Sequence, residues 1–177
     1  YQSDRRNEQK EKINGDTEKA FKLLDKSLEL IEPKMYKNSH IYIFTTWKVI
    51  DKVKPIVEKY FDLKNCIVWD KGNRSMGDLT GNYADRYELI LFASKGRIVF
   101  DKRPDNIIEC PRTSNKEHQT EKPIELLKQF IINSTKEKEL VVDYFAGSCS
   151  TLKAAKECGR RWLGIEILGD KNEKEEE

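Results

Sequence analysis

Several things are missing from these 177 residues, and each absence narrows the function. No apolar stretch approaches the roughly 18 residues that a membrane-spanning helix needs, so a transmembrane protein is excluded by the sequence pattern. No signal-peptide pattern is present, which points to the cytoplasm. The four cysteines (Cys66, Cys110, Cys149, Cys158) form no C-x-x-C pair and show no zinc spacing, so they read as reduced thiols and no metal is expected. There is no internal repeat. Charge of one sign is also lacking: 33 Lys+Arg against 31 Asp+Glu leaves a net +2, which neither demands nor excludes a nucleic-acid partner.

What is present is a polar surface over clustered apolar runs: 36% charged, 37% hydrophobic, with a mean hydropathy of −0.76. Such a chain is globular rather than disordered. Residues 1–15 read as a polar loop, with Asp16 as the cap of a helix that carries Phe21, Leu24, Leu28 and Ile31 on one face and stops at Pro33. His40 to Thr46 reads as a strand. Ile50, Val53 and Val57 suggest a helix that Pro55 either starts or kinks. Cys66 to Trp69 is a short strand, and residues 71–86, with three glycines, form a long loop. Tyr87–Ala93 and Arg97–Phe100 look like a strand pair turning at Ser94-Lys95-Gly96, and 101–121 is irregular. Pro123 opens a helix, Leu140–Phe145 is a strand, Thr151–Cys158 a helix stopped by Gly159, and Arg161–Ile167 a last strand before an acidic tail at 171–177. Strands alternating with helices predict an α/β fold with a mostly parallel sheet.

The informative unit is 139–167. A strand ends in Asp143-Tyr-Phe-Ala-Gly-Ser-Cys-Ser-Thr, turns into a helix, and a second strand ends in Gly164-Ile-Glu166. Ligands of doubly wound sheets sit at the carboxyl ends of strands, and a carboxylate at the tip of the second strand suits the two hydroxyls of a ribose. The dinucleotide pattern G-x-G-x-x-G fails: counting from Gly147, its second and third glycines are Cys149 and Leu152. The second glycine exists to let a pyrophosphate approach the backbone, so its absence argues against NAD and for a nucleoside such as S-adenosylmethionine. An ordinary strand–turn–helix with a surface glutamate is the bland alternative.

D-Y-F-A-G-S-C-S-T followed by G-I-E-I resembles the cofactor motifs of DNA amino-methyltransferases acting on adenine N6 or cytosine N4. His118-Gln-Thr-Glu-Lys-Pro123, just upstream, resembles that family's H-x-T-x-K-P element, and its position before the cofactor loop matches the permuted, β-type order. The resemblance implies a circularly permuted Rossmann-like methyltransferase fold with helices on both faces of the sheet. It implies one domain over 1–170 and S-adenosylmethionine as cofactor. Carried over residue by residue, Asp143, Phe145, Gly147, Ser148 and Thr151 would line the methionine end, Glu166 would hold the ribose, and Thr120 and Lys122 would reach the cofactor carboxylate. Read alone, Lys122 could equally be a solvated lysine and Thr120 a helix cap. Cys149 departs from the glycine usual in the family.

The implied activity is methylation of a DNA base, adenine N6 ahead of cytosine N4, as in restriction-modification. Double-stranded DNA is the partner, and a homodimer is left open. The family's catalytic loop, D/N/S-P-P-Y/F/W, has no counterpart, because no Pro-Pro pair occurs. Tyr1-Gln-Ser-Asp-Arg-Arg6 resembles the stretch that follows this loop in phage-like members. The loop is therefore expected immediately upstream of Tyr1, with no catalytic residue inside the chain and no turnover by these residues alone. Arg5, Arg6, Arg74 and Arg103 are the candidate DNA contacts, with Lys71 and Arg86 in the same loop as Arg74. Trp47 could stack on a flipped base, although packing in the core is the preferred reading. Two other functions fit less well: a non-catalytic DNA- or cofactor-binding module, and a small-molecule methyltransferase or other nucleoside-binding enzyme.

Overall fold

A computed structural model describes residues 17–73, 81, 83–97, 99–113 and 121–166. The predicted positions Arg5, Arg6, Arg74, His118 and Thr120 lie outside them. Among the described residues one sheet is hydrogen-bonded in the strand order Ser39–Thr45, Tyr87–Lys95, Asp62–Asp70, Ile107–Glu109, and another pairs Leu140–Asp143 with Arg161–Gly164. Two compact units emerge, Tyr1–Cys66 with Leu89–Ile98, and Ile67–Glu88 with Val99–Glu177.

In the first unit, α1 (Glu18–Ile31) buries Phe21, Leu28 and Ile31, the face predicted from spacing. Its cap is Thr17 rather than Asp16: the Thr17 hydroxyl accepts the Ala20 N–H. A single 3-10 turn (Glu32–Lys34) follows. Helix α2 (Ile50–Glu58) packs on α1 and contains Pro55, so the proline neither starts nor ends it. Lys59 and the Tyr60 hydroxyl both donate to Asp25 across this helix pair.

Strand β1 (Ser39–Thr45) runs antiparallel to β3 (Tyr87–Lys95), from Ser39 opposite Lys95 to Thr45 opposite Leu89. The predicted hairpin of Tyr87–Ala93 with Arg97–Phe100 is not formed: residues 97, 99 and 100 are not strand, and β3 continues to Lys95 with β1 as its partner. The turn at Gly96 closes on Asn38 instead. The Asn38 N–H donates to the Lys95 carbonyl at 2.6 Å, and the Arg97 N–H donates to the Asn38 side chain at 3.1 Å. A Cβ at Gly96 would lie 2.9 Å from the Asn38 Oδ1, and its φ of +91° also favours glycine.

Strand β2 (Asp62–Asp70) is longer than the predicted Cys66–Trp69. In the second unit its end pairs parallel with β4 (Ile107–Glu109), a three-residue strand in a stretch predicted to be irregular. Helix α3 (Ile124–Ser134) follows Pro123 and buries Leu126, Leu127, Phe130 and Ile131. Strand β5 (Leu140–Asp143), helix α4 (Ser150–Glu157) and strand β6 (Arg161–Gly164) form a βαβ unit with β5 and β6 parallel. Helix α4 packs on α3 and on both strands. Gly164 makes this closeness possible, since a Cβ there would stand 2.5 Å from the Leu152 Cδ1 and 3.1 Å from the Ala146 Cβ. Among the described residues no helix is long and apolar enough to cross a membrane, and no group of acidic, cysteine and histidine side chains could hold a metal. All four cysteines are free.

Candidate functional site

The ends of β5 and β6 are tied together by backbone and side-chain bonds. Beyond the strand pairing, the Ile165 N–H donates to the Asp143 carbonyl at 2.8 Å and the Ala146 N–H to the Ile165 carbonyl at 3.0 Å. Asp143 accepts the Phe145 N–H on Oδ1 at 3.0 Å, which starts the turn. Gly147, at φ +44°, then points its N–H at the Glu166 Oε2, 2.6 Å away. The carboxylate predicted to face a ribose is thus bonded to the turn and is exposed. Phe145, in the same turn, is exposed.

Cys149 closes the turn in the left-handed region, at φ +62° and ψ +22°, and α4 starts at the next residue without a side-chain cap. This explains in physical terms why glycine suits the position: an L-residue in that conformation costs about 1–2 kcal/mol. Cys149→Gly is therefore expected to raise stability by about 1 kcal/mol, a Tm gain of about 2–4 °C by calorimetric melting. A melting temperature that falls would show that the thiol stabilises the turn in some other way. Ser148 and Ser150 join their hydroxyls at 2.8 Å, and Ser150, buried at the start of α4, reaches the Glu121 Oε1 at 3.1 Å. Thr151 is half-buried in the first turn of α4.

A second cluster surrounds Glu88. Its Oε1 holds the Lys71 ammonium at 2.8 Å and its Oε2 the Lys122 ammonium at 2.7 Å, with an Arg112 nitrogen 3.8 Å away. Both ammonium groups also lie over the Trp69 ring, 5.4 and 5.5 Å from its centre. Trp69 is only 1% exposed and donates its indole N–H to the Cys110 carbonyl at 2.7 Å. Burial works against the Glu88 charge, but the two lysines outweigh it and hold the carboxyl below its usual range. Burial pulls the Lys71 ammonium below the usual lysine range, partly offset by Glu88. Nearby, Asp70 accepts from both the Arg86 Nε, at 2.6 Å, and the Gly72 N–H, while the Lys71 N–H donates to the Arg86 carbonyl.

Comparison with known proteins bears directly on this arrangement. The N6_N4_Mtase family, the DNA methylases, matches residues 1–111 and 99–172. The chain belongs to this family. The putative methylase YubD of Escherichia coli (strain K12) is 31% identical over 153 residues, covering 81% of this chain and 66% of that protein. The DNA adenine methyltransferase YhdJ of the same strain is 27% identical over 168 residues, covering 74% and 57%. The chain thus spans less than two thirds of each of these two relatives. Among solved structures, the M1.HpyAVI–SAM complex superposes with a TM-score of 0.73 at 28% identity, covering 86% of this chain and 79% of that one. The cytosine-N4-specific PvuII DNA methyltransferase, at 16% identity, shares the fold with a TM-score of 0.75 over 90% and 71%. The methylase fold is Rossmann-like.

Within this methylase chain, the turn after β5 carries Asp143, Phe145, Gly147 and Ser148, Glu166 is bonded to it through the Gly147 N–H, and Thr151 lies in the first turn of α4. Lys122 belongs to the Glu88 cluster. Arg103 is exposed. Two expectations change. Trp47 is 52% exposed rather than packed in the core, because it follows the end of β1. Lys71, expected among the DNA-facing cations, is only 3% exposed and spent on Glu88, while Arg86 is engaged by Asp70. The sequence reading missed Glu88, Trp69 and Glu121. A glutamate inside the apolar run Tyr87–Ala93 was the one available signal that a buried charge needed partners.

Proposed function

We propose that this methylase chain serves transfer of a methyl group from S-adenosylmethionine to an exocyclic amine of a base in double-stranded DNA, adenine N6 ahead of cytosine N4, in the cytoplasm. The observation that carries the reading is the Gly147 N–H to Glu166 bond at the carboxyl ends of two parallel strands. It leaves the carboxylate with acceptor positions for both ribose hydroxyls, while Cys149 stands where a pyrophosphate would require glycine. The donor set fits an adenosine cofactor with an amino-acid head. Glu166 would hold the ribose; Asp143, Phe145, Gly147, Ser148 and Thr151 would line the methionine end; Thr120 would meet its carboxylate, with Lys122 reaching it only by sharing the ammonium that Glu88 holds at 2.7 Å.

S-adenosylmethionine, when bound, supplies an electrophilic methyl. The work of these residues is to fix its position so that amine and sulfonium meet in line. Arg5, Arg6, Arg74 and Arg103 are the proposed phosphate contacts. The exposed ring of Trp47 is free to stack on an extruded base. The amine acceptor and its neighbouring aromatic ring, which the family carries in its P-P loop, are assigned to no residue of 1–177.

Calorimetry with S-adenosylhomocysteine and with NAD tests the reading. The sulfur nucleoside should bind and NAD should not. Glu166→Ala should cost about 1.5–3 kcal/mol of binding, the worth of a hydrogen bond to a charged acceptor. Tight NAD binding with none for the sulfur nucleoside would overturn the assignment.

A further inference from the structure

Glu121 and Lys122 are consecutive, yet their side chains serve different partners. Lys122 is bound to half-buried Glu88 and covers Trp69, which is buried. Glu121 accepts the hydroxyl of Ser150, which is 4% exposed. A carboxylate can only accept, and a serine hydroxyl has one proton to give. With the Ser150 proton committed to Glu121, the 2.8 Å contact between Ser148 and Ser150 must run from the Ser148 hydroxyl to the Ser150 oxygen. A directed chain results: Ser148 to Ser150 to Glu121. Its far end sits between Gly147, whose N–H holds Glu166, and Cys149, whose backbone is left-handed. A non-glycine residue persists in that conformation only where its surroundings over-determine it.

We propose that Glu121 is a positioning residue for the cofactor turn. Through the two serine hydroxyls it fixes the corner at 147–149, and the Lys122–Glu88 pair, seated on Trp69, fixes Glu121. The class of ligand served is the adenosine cofactor proposed above, and the inference rests on that reading. Glu121 itself touches no cofactor atom. It sets where the Gly147 N–H and the Glu166 carboxylate stand before the cofactor arrives, so its loss weakens binding by leaving that ordering to be done at the moment of association.

The test is calorimetry with S-adenosylhomocysteine on the whole protein and on Glu121→Ala, Ser150→Ala, the double variant, Glu121→Gln and Glu166→Ala. Glu121→Ala and Ser150→Ala should each weaken binding about 10- to 100-fold, a range that follows from losing one charge-assisted hydrogen bond. The double variant should be no weaker than either, within about twofold, because both break one chain. Glu121→Gln keeps an acceptor oxygen and should recover most of the loss, which a merely bulky structural role for Glu121 would not require. Should Glu121→Ala fail to fold, the small change Ser150→Ala together with Glu121→Gln decides the matter. Additive losses in the double variant, or full affinity in Ser150→Ala, overturn the proposal. If Glu166→Ala weakens binding while Ser150→Ala and Glu121→Ala do not, this inference alone fails. If Glu166→Ala also binds normally, the cofactor reading fails with it.

Discussion

Glu88→Ala is expected to destabilise the protein by about 3–5 kcal/mol, because it strands a buried ammonium. Lys71 is almost wholly enclosed, and Glu88 is the carboxylate that meets it at 2.8 Å. Removing Glu88 also leaves Lys71, Lys122 and Arg112 to repel one another. Replacing both members of the buried pair, as Glu88→Leu with Lys71→Met, should restore most of the loss, since apolar groups of similar volume need no partner. The pH dependence has a definite sign. The folded carboxyl is held below its usual range, so the unfolded chain takes up the proton first as pH falls. The contribution is complete above the ordinary glutamate pKa of about 4.3 and is lost as pH falls further, through the lower folded value. Lys71 acts on the alkaline side: its folded pKa is lowered, so between that value and the ordinary lysine pKa stability rises with pH. Urea unfolding at pH 7, at about pH 3 and at about pH 10 checks both signs. A single Glu88→Ala that loses less than about 1 kcal/mol would mean that Lys71 escapes to water.

Trp69→Ala should be as costly, about 3–5 kcal/mol, as for other large aromatic truncations in a core. The indole carries three duties at once. It fills buried space, its N–H satisfies the Cys110 carbonyl, and its face supports Lys71 and Lys122. Trp69→Phe keeps the ring and part of the volume but gives up the hydrogen bond, and should cost about 1–3 kcal/mol, the range for leaving a buried acceptor unmet. Denaturant midpoints for the two variants measure the ladder. Equal losses would show that the ring itself contributes little.

The two tryptophans show what spacing can and cannot reveal. Trp47 stands just after a strand and was expected to pack, yet it is exposed; Trp69 stands on the inward side of β2, next but one to buried Ile67, and carries the cluster. The alternation was visible in the sequence, but which of two short runs had a covered face depended on the rest of the fold. The turn and Glu166 were legible because glycine at a sharp corner and a carboxylate at a strand tip are local features. Lys71 was misread because its partner, Glu88, lies 17 positions further along the chain, and long-range ion pairing leaves no periodic trace. The hairpin at Gly96 failed for a related reason. The strand found its partner in β1, and Asn38 took the place a second hairpin arm would have filled. Cys149 was recognised as a departure from glycine, but its backbone angle shows what that departure costs.

The clasp between Asp70 and Arg86 has a consequence for the spacing of two strand ends. It binds the chain where it leaves β2 to the chain where it re-enters β3, by a side-chain ion pair and by the Lys71 N–H to Arg86 carbonyl bond. The two ends are therefore closed by bonds of their own, and the exit of β2 and the entry of β3 keep their spacing whatever the length of the connection between them.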